Sequence, residues 1–455
     1  MASFRRELVK MARLSAPVAL AQLGLMTIGV VDTLMLSRVG VAELAASALG
    51  NAWQWTFLSL GVGLVMGIDP LISQAHGRGD GPGTALALQR GIVLALLASI
   101  PICICIHSTQ AGLLLLHQEP EVAALAGRYN LLKLPTVPGF LVYSALRQYL
   151  QGRALMGPAT WVMWIGNGLH VVLNWALIFG HWGGPALGIE GAAIASSITT
   201  LFLVLGVALW VRGFRLHEGA WRAWDRASFA RAGLLQAARL GVPVGLTMSL
   251  EASAFSIGTW MAGWLGREAL ASHQIVLNLA ALAFMVPLGI SQGAATRVGN
   301  LIGAGDVQGM RHAVKAALLL GASVMVVSAG SFSLLRFELA DLFTDDPKVI
   351  ALAAQIFPLA AAFQLSDGTQ VVAGGVLRGM GRPDAGALVN LFGYYVVALP
   401  LGYVLCFFYG QGLMGIWLAL ALGLTLVAAA LLYWVNRTAR RPLSALRVRP
   451  EAIAG

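Results

Sequence analysis

GIVLALLASIPICICIHSTQAGLLLL, residues 91–116, is the stretch that decides the fold class of this chain. It contains no Asp, Glu, Lys or Arg, and its apolar residues do not alternate with polar ones. An α-helix needs about 20 apolar residues to cross the roughly 30 Å hydrocarbon core of a bilayer, whereas a membrane β-strand has about ten alternating ones. The stretch is therefore predicted to be a membrane-spanning helix.

The rest of the chain has the same character. Of its 455 residues, 58% are hydrophobic and 11% are charged, against about a quarter charged in soluble domains. Similar apolar runs recur between short charged connections, which predicts an all-α membrane protein of about twelve transmembrane helices. The predicted spans lie near residues 14–37, 50–75, 91–116, 131–152, 159–180, 187–211, 240–265, 273–301, 313–335, 349–377, 385–408 and 412–436.

The basic residues predict the orientation of these spans. The thirty Lys and Arg residues concentrate in the two termini and the even-numbered loops, so the positive-inside rule places both termini in the cytoplasm. They do not form a stripe with interleaved aromatic residues, which argues against nucleic-acid binding despite the net charge of +10.

Internal repeats indicate that the chain consists of two similar halves. Three stretches of the first half recur at nearly the same offset: LSAPVAL (14–20) as LGVPVGL (240–246), GRGD (77–80) as GAGD (303–306), and GIEGAAIA (188–195) as GLMGIWLA (412–419). Each copy holds six spans, an even number, so both copies enter the membrane in the same direction. We expect two six-helix lobes related by a pseudo-twofold axis along the membrane normal, with a cavity between them.

This duplication divides the chain into four predicted parts. They are an N-terminal lobe at 1–211 with spans 1–6, a cytoplasmic interlobe linker at 212–239, a C-terminal lobe at 240–436 with spans 7–12, and a cytoplasmic tail at 437–455. The linker combines several arginines with Trp221 and Trp224, which is typical of a short amphipathic piece at the membrane interface.

Carboxylates within the predicted spans are candidate functional residues, because a charged side chain at the bilayer centre costs about 2.5–3.5 kcal/mol or more. Asp32 lies toward the outer end of the first span, and Asp367 lies midway along the tenth. Glu251 lies about 16 Å along the seventh span at about 1.5 Å per residue. Glu251 and Asp367 could face one cavity. Alternatively, each carboxyl is protonated and hydrogen-bonded within its own lobe as a structural element.

His170 and Asn174 are four residues apart on the fifth span and share a helical face. They could complete a site with Asp32, or they could simply form hydrogen bonds between helices.

Enzymatic chemistry is not indicated by the sequence. It contains no Gly-rich loop ending in Lys-Ser/Thr, no paired His residues with a Glu on one helix, and no soluble domain to hold ATP. Cys103, Cys105 and Cys406 form neither a disulfide framework nor a zinc pattern. We therefore expect no enzyme activity and no cofactor, with energy supplied by an ion gradient.

One set of residues points to a known family: Pro17 and Asp32, GIDPLISQ at 67–74, residues 167–174, Glu251, and residues 364–381. With these, the chain resembles the multidrug and toxic compound extrusion (MATE) transporters, specifically their NorM-like branch, over nearly its whole length. The resemblance implies a bacterial inner-membrane protein with two lobes and a V-shaped outward-facing cavity. It also implies a secondary antiporter that exports cationic amphipathic drugs and dyes in exchange for H⁺ or Na⁺. We expect it to be monomeric.

The resemblance also assigns roles to site residues. It implies that Glu251 and Asp367 are the cation-coupling carboxylate pair and a candidate Na⁺ site. An aspartate associated with protonation and drug release falls on Asp32, with Asn174 as its neighbour. His170 stands where relatives often have an amide and adds a titratable group, which favours protons as the coupling ion.

Four further residues are candidates for lining the cavity: Gln274, Asn278, Phe284 and Phe363. Phe284 keeps an aromatic ring where the family places one near the cation site. Phe363 stands where related sequences can offer a tyrosine, so a hydroxyl ligand for Na⁺ is missing there, which again favours protons.

Three other classes of membrane protein are weighed against this interpretation. A major-facilitator transporter usually carries an Asp-Arg-x-Gly-Arg-type motif between spans 2 and 3, where this chain has HGRGDGPG at 76–83. A cavity rich in Arg and Lys would support a flippase of the same superfamily for lipids or lipid-linked oligosaccharides, because such substrates carry phosphate, yet the spans hold carboxylates, with Lys133 a basic exception. A channel or scaffold has no need for buried carboxylates in a duplicated bundle.

Overall fold

The computed structural model describes residues 2–448, which are almost entirely helical and contain no β-strand. Eleven of the helices are long and apolar enough to cross a membrane, judged by length and composition. These observations confirm the predicted all-α membrane fold.

The helices follow one another closely along the chain. The first half contains α1 (Ala2–Leu36), α2 (Val41–Met66), α3 (Asp69–Gly77), α4 (Gly81–His107), α5 (Thr109–Leu115), α6 (Pro120–Leu132), α7 (Thr136–Gly152), α8 (Gly157–Phe179) and α9 (Ile189–Gly213). The second half contains α10 (Arg231–Trp264), α11 (Arg267–Ala304), α12 (Val307–Leu334), α13 (Arg336–Asp341), α14 (Pro347–Gly379), α15 (Asp384–Asn390), α16 (Leu399–Tyr403), α17 (Gly412–Ala439) and α18 (Leu443–Leu446).

The repeated GxGD motif forms the same helix start in both halves. Asp80 accepts a hydrogen bond from the backbone N–H of Gly83, and Asp306 accepts one from Gly309, each at 2.7 Å. Gly79 precedes the first cap with a φ of 73°, a left-handed conformation that glycine adopts without strain. Because Asp is a favourable N-cap, α4 and α12 begin several residues before the apolar runs that predicted them.

The fourth predicted span, 131–152, is interrupted in the structure. Helix α6 ends at Leu132 and α7 begins at Thr136. Pro135 lies in the break, and proline cannot donate a backbone hydrogen bond and disfavours a helical conformation in the residue before it. The backbone N–H and the hydroxyl of Thr136 both donate to the carbonyl of Lys133, at 2.8 Å and 2.6 Å, so this carbonyl stays paired at the break.

The eleventh predicted span, 385–408, is helical but not uniformly α-helical. Two π-helical segments, Leu391–Ala398 and Val404–Phe408, flank the short helix α16. Pro400 lies in this region, and a proline ring clashes with the carbonyl four residues earlier. Local π-helical adjustments can satisfy the backbone groups that a proline frees in a membrane helix, and they change the direction in which side chains project.

The described residues divide into two compact units, 2–22 with 246–448 and 23–245. The boundary falls inside two long helices, between Gln22 and Leu23 in α1 and between Gly245 and Leu246 in α10. The first part of α1 therefore belongs to the same unit as α11 and α14.

Each unit is held together by close helix contacts at glycines. In the first unit, a Cβ at Gly375 would lie 2.2 Å from the Ser291 carbonyl oxygen. In the second unit, a Cβ at Gly63 would lie 2.2 Å from the backbone of Gly245. Membrane helices rely on such small residues, because association without a hydrophobic driving force depends on close packing.

Candidate functional site

The first candidate site lies in the unit 23–245, around the carboxylate of Asp32. One of its oxygens, Oδ1, is 2.7 Å from Nε2 of His170 and accepts a hydrogen bond from Nδ2 of Asn174 at 2.6 Å. Asp32 comes from α1, and the other two come from one face of α8. All three side chains are buried. The structure thus brings together the three residues that the sequence places on two different spans.

His170 has a second partner that the sequence does not single out. Its Nδ1 lies 3.1 Å from the hydroxyl of Thr199 on α9. When Asp32 is ionised it can only accept, so Nε2 of His170 carries a proton. A hydroxyl can donate to a bare Nδ1 or accept from a protonated one. Thr199 can therefore pair with Nδ1 of His170 in either tautomer of the ring.

The second candidate site lies in the other unit, around Glu251 on α10 and Asp367 on α14. Phe255, one turn after Glu251, packs edge-on against Phe363, one turn before Asp367, with ring centroids 5.8 Å apart, so the two carboxyl groups lie at the same level of the neighbouring helices. Asp367 is 7% exposed, and its Oδ1 is buried without a hydrogen-bond partner among the described residues. Two carboxylates in this arrangement repel each other unless a cation or a proton lies between them.

Tyr394 completes this acidic pair and is not singled out by the sequence alone. Its hydroxyl donates to Oε1 of Glu251 at 3.5 Å, and its side chain is fully buried. The next residue, Tyr395, reaches the same helix, with its hydroxyl 2.5 Å from that of Ser253 and 3.3 Å from the carbonyl of Leu250. Both tyrosines lie in the first π-helical segment, where the rotation per residue is smaller than in an α-helix. The proline that follows this segment is the one sequence signal for it.

The four candidate cavity residues lie in different surroundings. Phe363 is 2% exposed and packs edge-on against Trp417, with ring centroids 5.6 Å apart, so it belongs to the core of its unit. Phe284 on α11 is half-buried. Gln274 and Asn278 are exposed on the same helix and are joined by a hydrogen bond of 3.2 Å.

The donor atoms around the acidic pair suit a hard cation or a proton. Glu251, Asp367 and Tyr394 offer oxygen atoms alone, and oxygen ligands are what hard cations prefer. The unpartnered Oδ1 of Asp367 is the atom that such an ion would satisfy. The described residues contain no group of three or more His, Cys, Asp or Glu side chains placed so that they could hold a metal ion.

Known proteins resemble the chain throughout. The MatE family matches residues 17–176 and 243–404, and each matched segment begins at a proline of the internal repeat. The multidrug resistance protein NorM of Burkholderia vietnamiensis is 36% identical over 441 residues, 95% of this chain and 94% of the relative. Multidrug and toxin extrusion protein 1 of Danio rerio is 32% identical over 417 residues, 91% of this chain and 70% of the relative.

Solved structures have the same fold. The crystal structure of the eukaryotic MATE transporter AtDTX14 matches with a TM-score of 0.89 at 23% identity, covering 98% of this chain and 100% of that chain. The outward-facing conformation of a multidrug resistance MATE family transporter matches with a TM-score of 0.87 at 20% identity, covering 97% of this chain and 96% of that chain. Because the family match covers both halves and the relatives align over nearly the whole chain, this protein belongs to the MatE family of multidrug efflux transporters.

Proposed function

We propose that this protein is a secondary active antiporter that exports organic cations, such as drugs and dyes, in exchange for H⁺ or Na⁺ by alternating access. It acts as a monomer in a bacterial inner membrane, with both termini in the cytoplasm. The observation that carries the proposal is the unpartnered, buried Oδ1 of Asp367 beside Glu251.

The acidic pair supplies the coupling. When Glu251 and Asp367 are both ionised, their repulsion is relieved by a bound Na⁺ or a proton, and the Tyr394 hydroxyl offers a third oxygen. Loss of that ion restores the repulsion and favours a different conformation of the lobe. An ion can shift a conformational equilibrium only by its differential affinity for the two states, and this pair provides such a difference.

The Asp32 site binds the organic cation. A carboxylate that already accepts from His170 and Asn174 is fixed in position and can attract an organic cation with its remaining charge. A proton on the imidazole, with Thr199 accepting from Nδ1, would neutralise that charge and weaken the attraction. About 1.4 kcal/mol of differential binding changes the affinity tenfold, so a modest electrostatic change is sufficient for release.

A lipid or lipid-linked oligosaccharide flippase is less favoured. Its substrates carry phosphate, which carboxylates in the spans would repel. The relatives that match along most of the chain are named for multidrug resistance or for multidrug and toxin extrusion.

The decisive experiment uses purified protein in proteoliposomes loaded with a cationic dye such as ethidium. An inward Na⁺ gradient and an inward H⁺ gradient are imposed separately, and we expect one of them to drive dye efflux and so to identify the coupling ion. Absence of efflux under both gradients would contradict antiport. Competition in which organic anions displace the dye as well as cations do would contradict cation selectivity.

A further inference from the structure

Lys133 is a buried cation that the proposed mechanism leaves unused. Its side chain is 7% exposed and lies at the break between α6 and α7. The ammonium donates to Oδ1 of Asn51 at 2.7 Å and to the hydroxyl of Tyr129 at 3.2 Å, and it lies 4.6 Å from the centroid of the Tyr129 ring.

These partners are neutral, so they do not cancel the charge of Lys133. Lys133 is absent from the ion pairs found within residues 2–448. A buried ammonium without a contacting carboxylate is costly unless hydrogen bonds and more distant charges compensate it. The positive charge of Lys133 therefore acts through space on nearby acidic groups.

The nearby acidic group is Asp32. Tyr129 packs in a buried cluster that includes Leu36, one turn after Asp32 on α1. Lys133 contacts the hydroxyl and the ring of Tyr129, so its ammonium lies beside this part of α1. The internal cation and the proposed substrate-binding carboxylate therefore belong to one electrostatic system within the unit 23–245.

The broken helix keeps Lys133 in this position. Lys133 directly follows the last residue of α6, and the partial negative charge at that helix C-terminus favours a cation. Thr136 donates to the Lys133 carbonyl at 2.6 Å, and Gln54 donates to the Thr136 hydroxyl at 3.0 Å. These bonds fix the backbone of the break, and the bond to Asn51 fixes the end of the side chain.

We propose that Lys133 is a specificity-determining residue. Its positive charge competes with the exported cation for electrostatic attraction to Asp32, so the site disfavours substrates of higher positive charge. It lowers the affinity of the site for a monovalent organic cation and lowers it more for a divalent one, because Coulomb repulsion scales with the charge of the ligand. The inference rests on the proposed function, since it assumes that Asp32 attracts the exported cation.

The test compares ethidium, a monocation, with propidium, a dication built on the same ring system. Binding of each dye to the full-length protein in detergent is measured for wild type, Lys133→Met and Lys133→Arg at one pH and ionic strength. We expect Lys133→Met to raise the affinity about tenfold for ethidium and about a hundredfold for propidium, in proportion to ligand charge. Lys133→Arg keeps the charge and should preserve the wild-type ratio of the two affinities.

Several outcomes would overturn the inference. One is an unchanged propidium-to-ethidium ratio in Lys133→Met, and another is an equal loss of both affinities, which would show a purely structural lysine. If Lys133→Met does not fold, Lys133→Gln takes its place, because the amide can still donate to Asn51 and Tyr129. An Asp32→Asn background provides a second check: both dyes should bind more weakly there than in wild type, and Lys133→Met should still raise the propidium-to-ethidium affinity ratio, because the repulsion acts on the ligand directly. Wild-type protein that binds neither dye would instead refute the proposed function itself.

Discussion

Replacing Asp367 by asparagine should abolish coupled export without destabilising the protein. In the wild type, Oδ1 of Asp367 is buried without a partner among the described residues, and Glu251 repels the ionised carboxyl. An unsatisfied buried polar group costs about 1–3 kcal/mol, and a charged one costs more. Asn removes the charge and the repulsion, so the melting temperature should stay at or above the wild-type value. The neutral amide cannot alternate between ion-bound and ion-free states, so coupled export should be lost.

The same substitution at Asp32 should have the opposite effect on stability. Oδ1 of Asp32 is the common acceptor for His170 and Asn174, at 2.7 Å and 2.6 Å. Hydrogen bonds to a charged group contribute about 1 kcal/mol more than neutral ones. Two such bonds weakened together predict a loss of about 2 kcal/mol in Asp32→Asn.

The assay is thermal unfolding of the purified variants in one detergent, at fixed pH and salt, together with dye efflux from proteoliposomes of the same preparations. Asp345→Asn is the control, because Asp345 is exposed and its replacement should change neither measurement. Two results would contradict the expected role of Asp367: a melting temperature of Asp367→Asn as far below wild type as that of Asp32→Asn, or dye export by Asp367→Asn at the wild-type rate.

Three further predictions use the same preparations. Gly375→Ala should lower the melting temperature, because its Cβ would lie 2.2 Å from the Ser291 carbonyl oxygen and such overpacking costs about 1–3 kcal/mol. Gly374→Ala on the same helix meets open space and should be neutral or stabilising. If Na⁺ is the coupling ion, a concentration of about 100 times its dissociation constant should stabilise wild type by about 2.7 kcal/mol and leave Asp367→Asn unaffected. Equal shifts in both proteins would exclude Asp367 as a ligand. Thr199→Val should lower the melting temperature by leaving a buried ring nitrogen unpaired, whereas Thr199→Ser should match wild type.

Features that depend on order along the chain could be predicted from the sequence. The length of each apolar run determines whether a helix can span the bilayer, and the repeated GxGD motif indicates two equivalent helix starts. Carboxylates inside these runs stand out because burying them in a membrane is costly. The spacing of His170 and Asn174 places them on one face of a helix, and in the structure both side chains contact Asp32.

Features that depend on how helices pack could not be predicted. Tyr394 and Glu251 are 143 positions apart in the chain, and the hydroxyl of Tyr394 reaches Glu251 from the first π-helical segment. Thr199 reaches His170 only through the packing of α8 against α9. Lys133 lies at a break between two helices, inside an apolar run that the sequence predicts to be one span. A one-dimensional pattern records which residues are apolar or charged, whereas these contacts depend on the rotation and local pitch of helices. The tertiary structure alone determines those, because close packing and the pairing of every buried polar group select one arrangement among many of equal hydrophobicity.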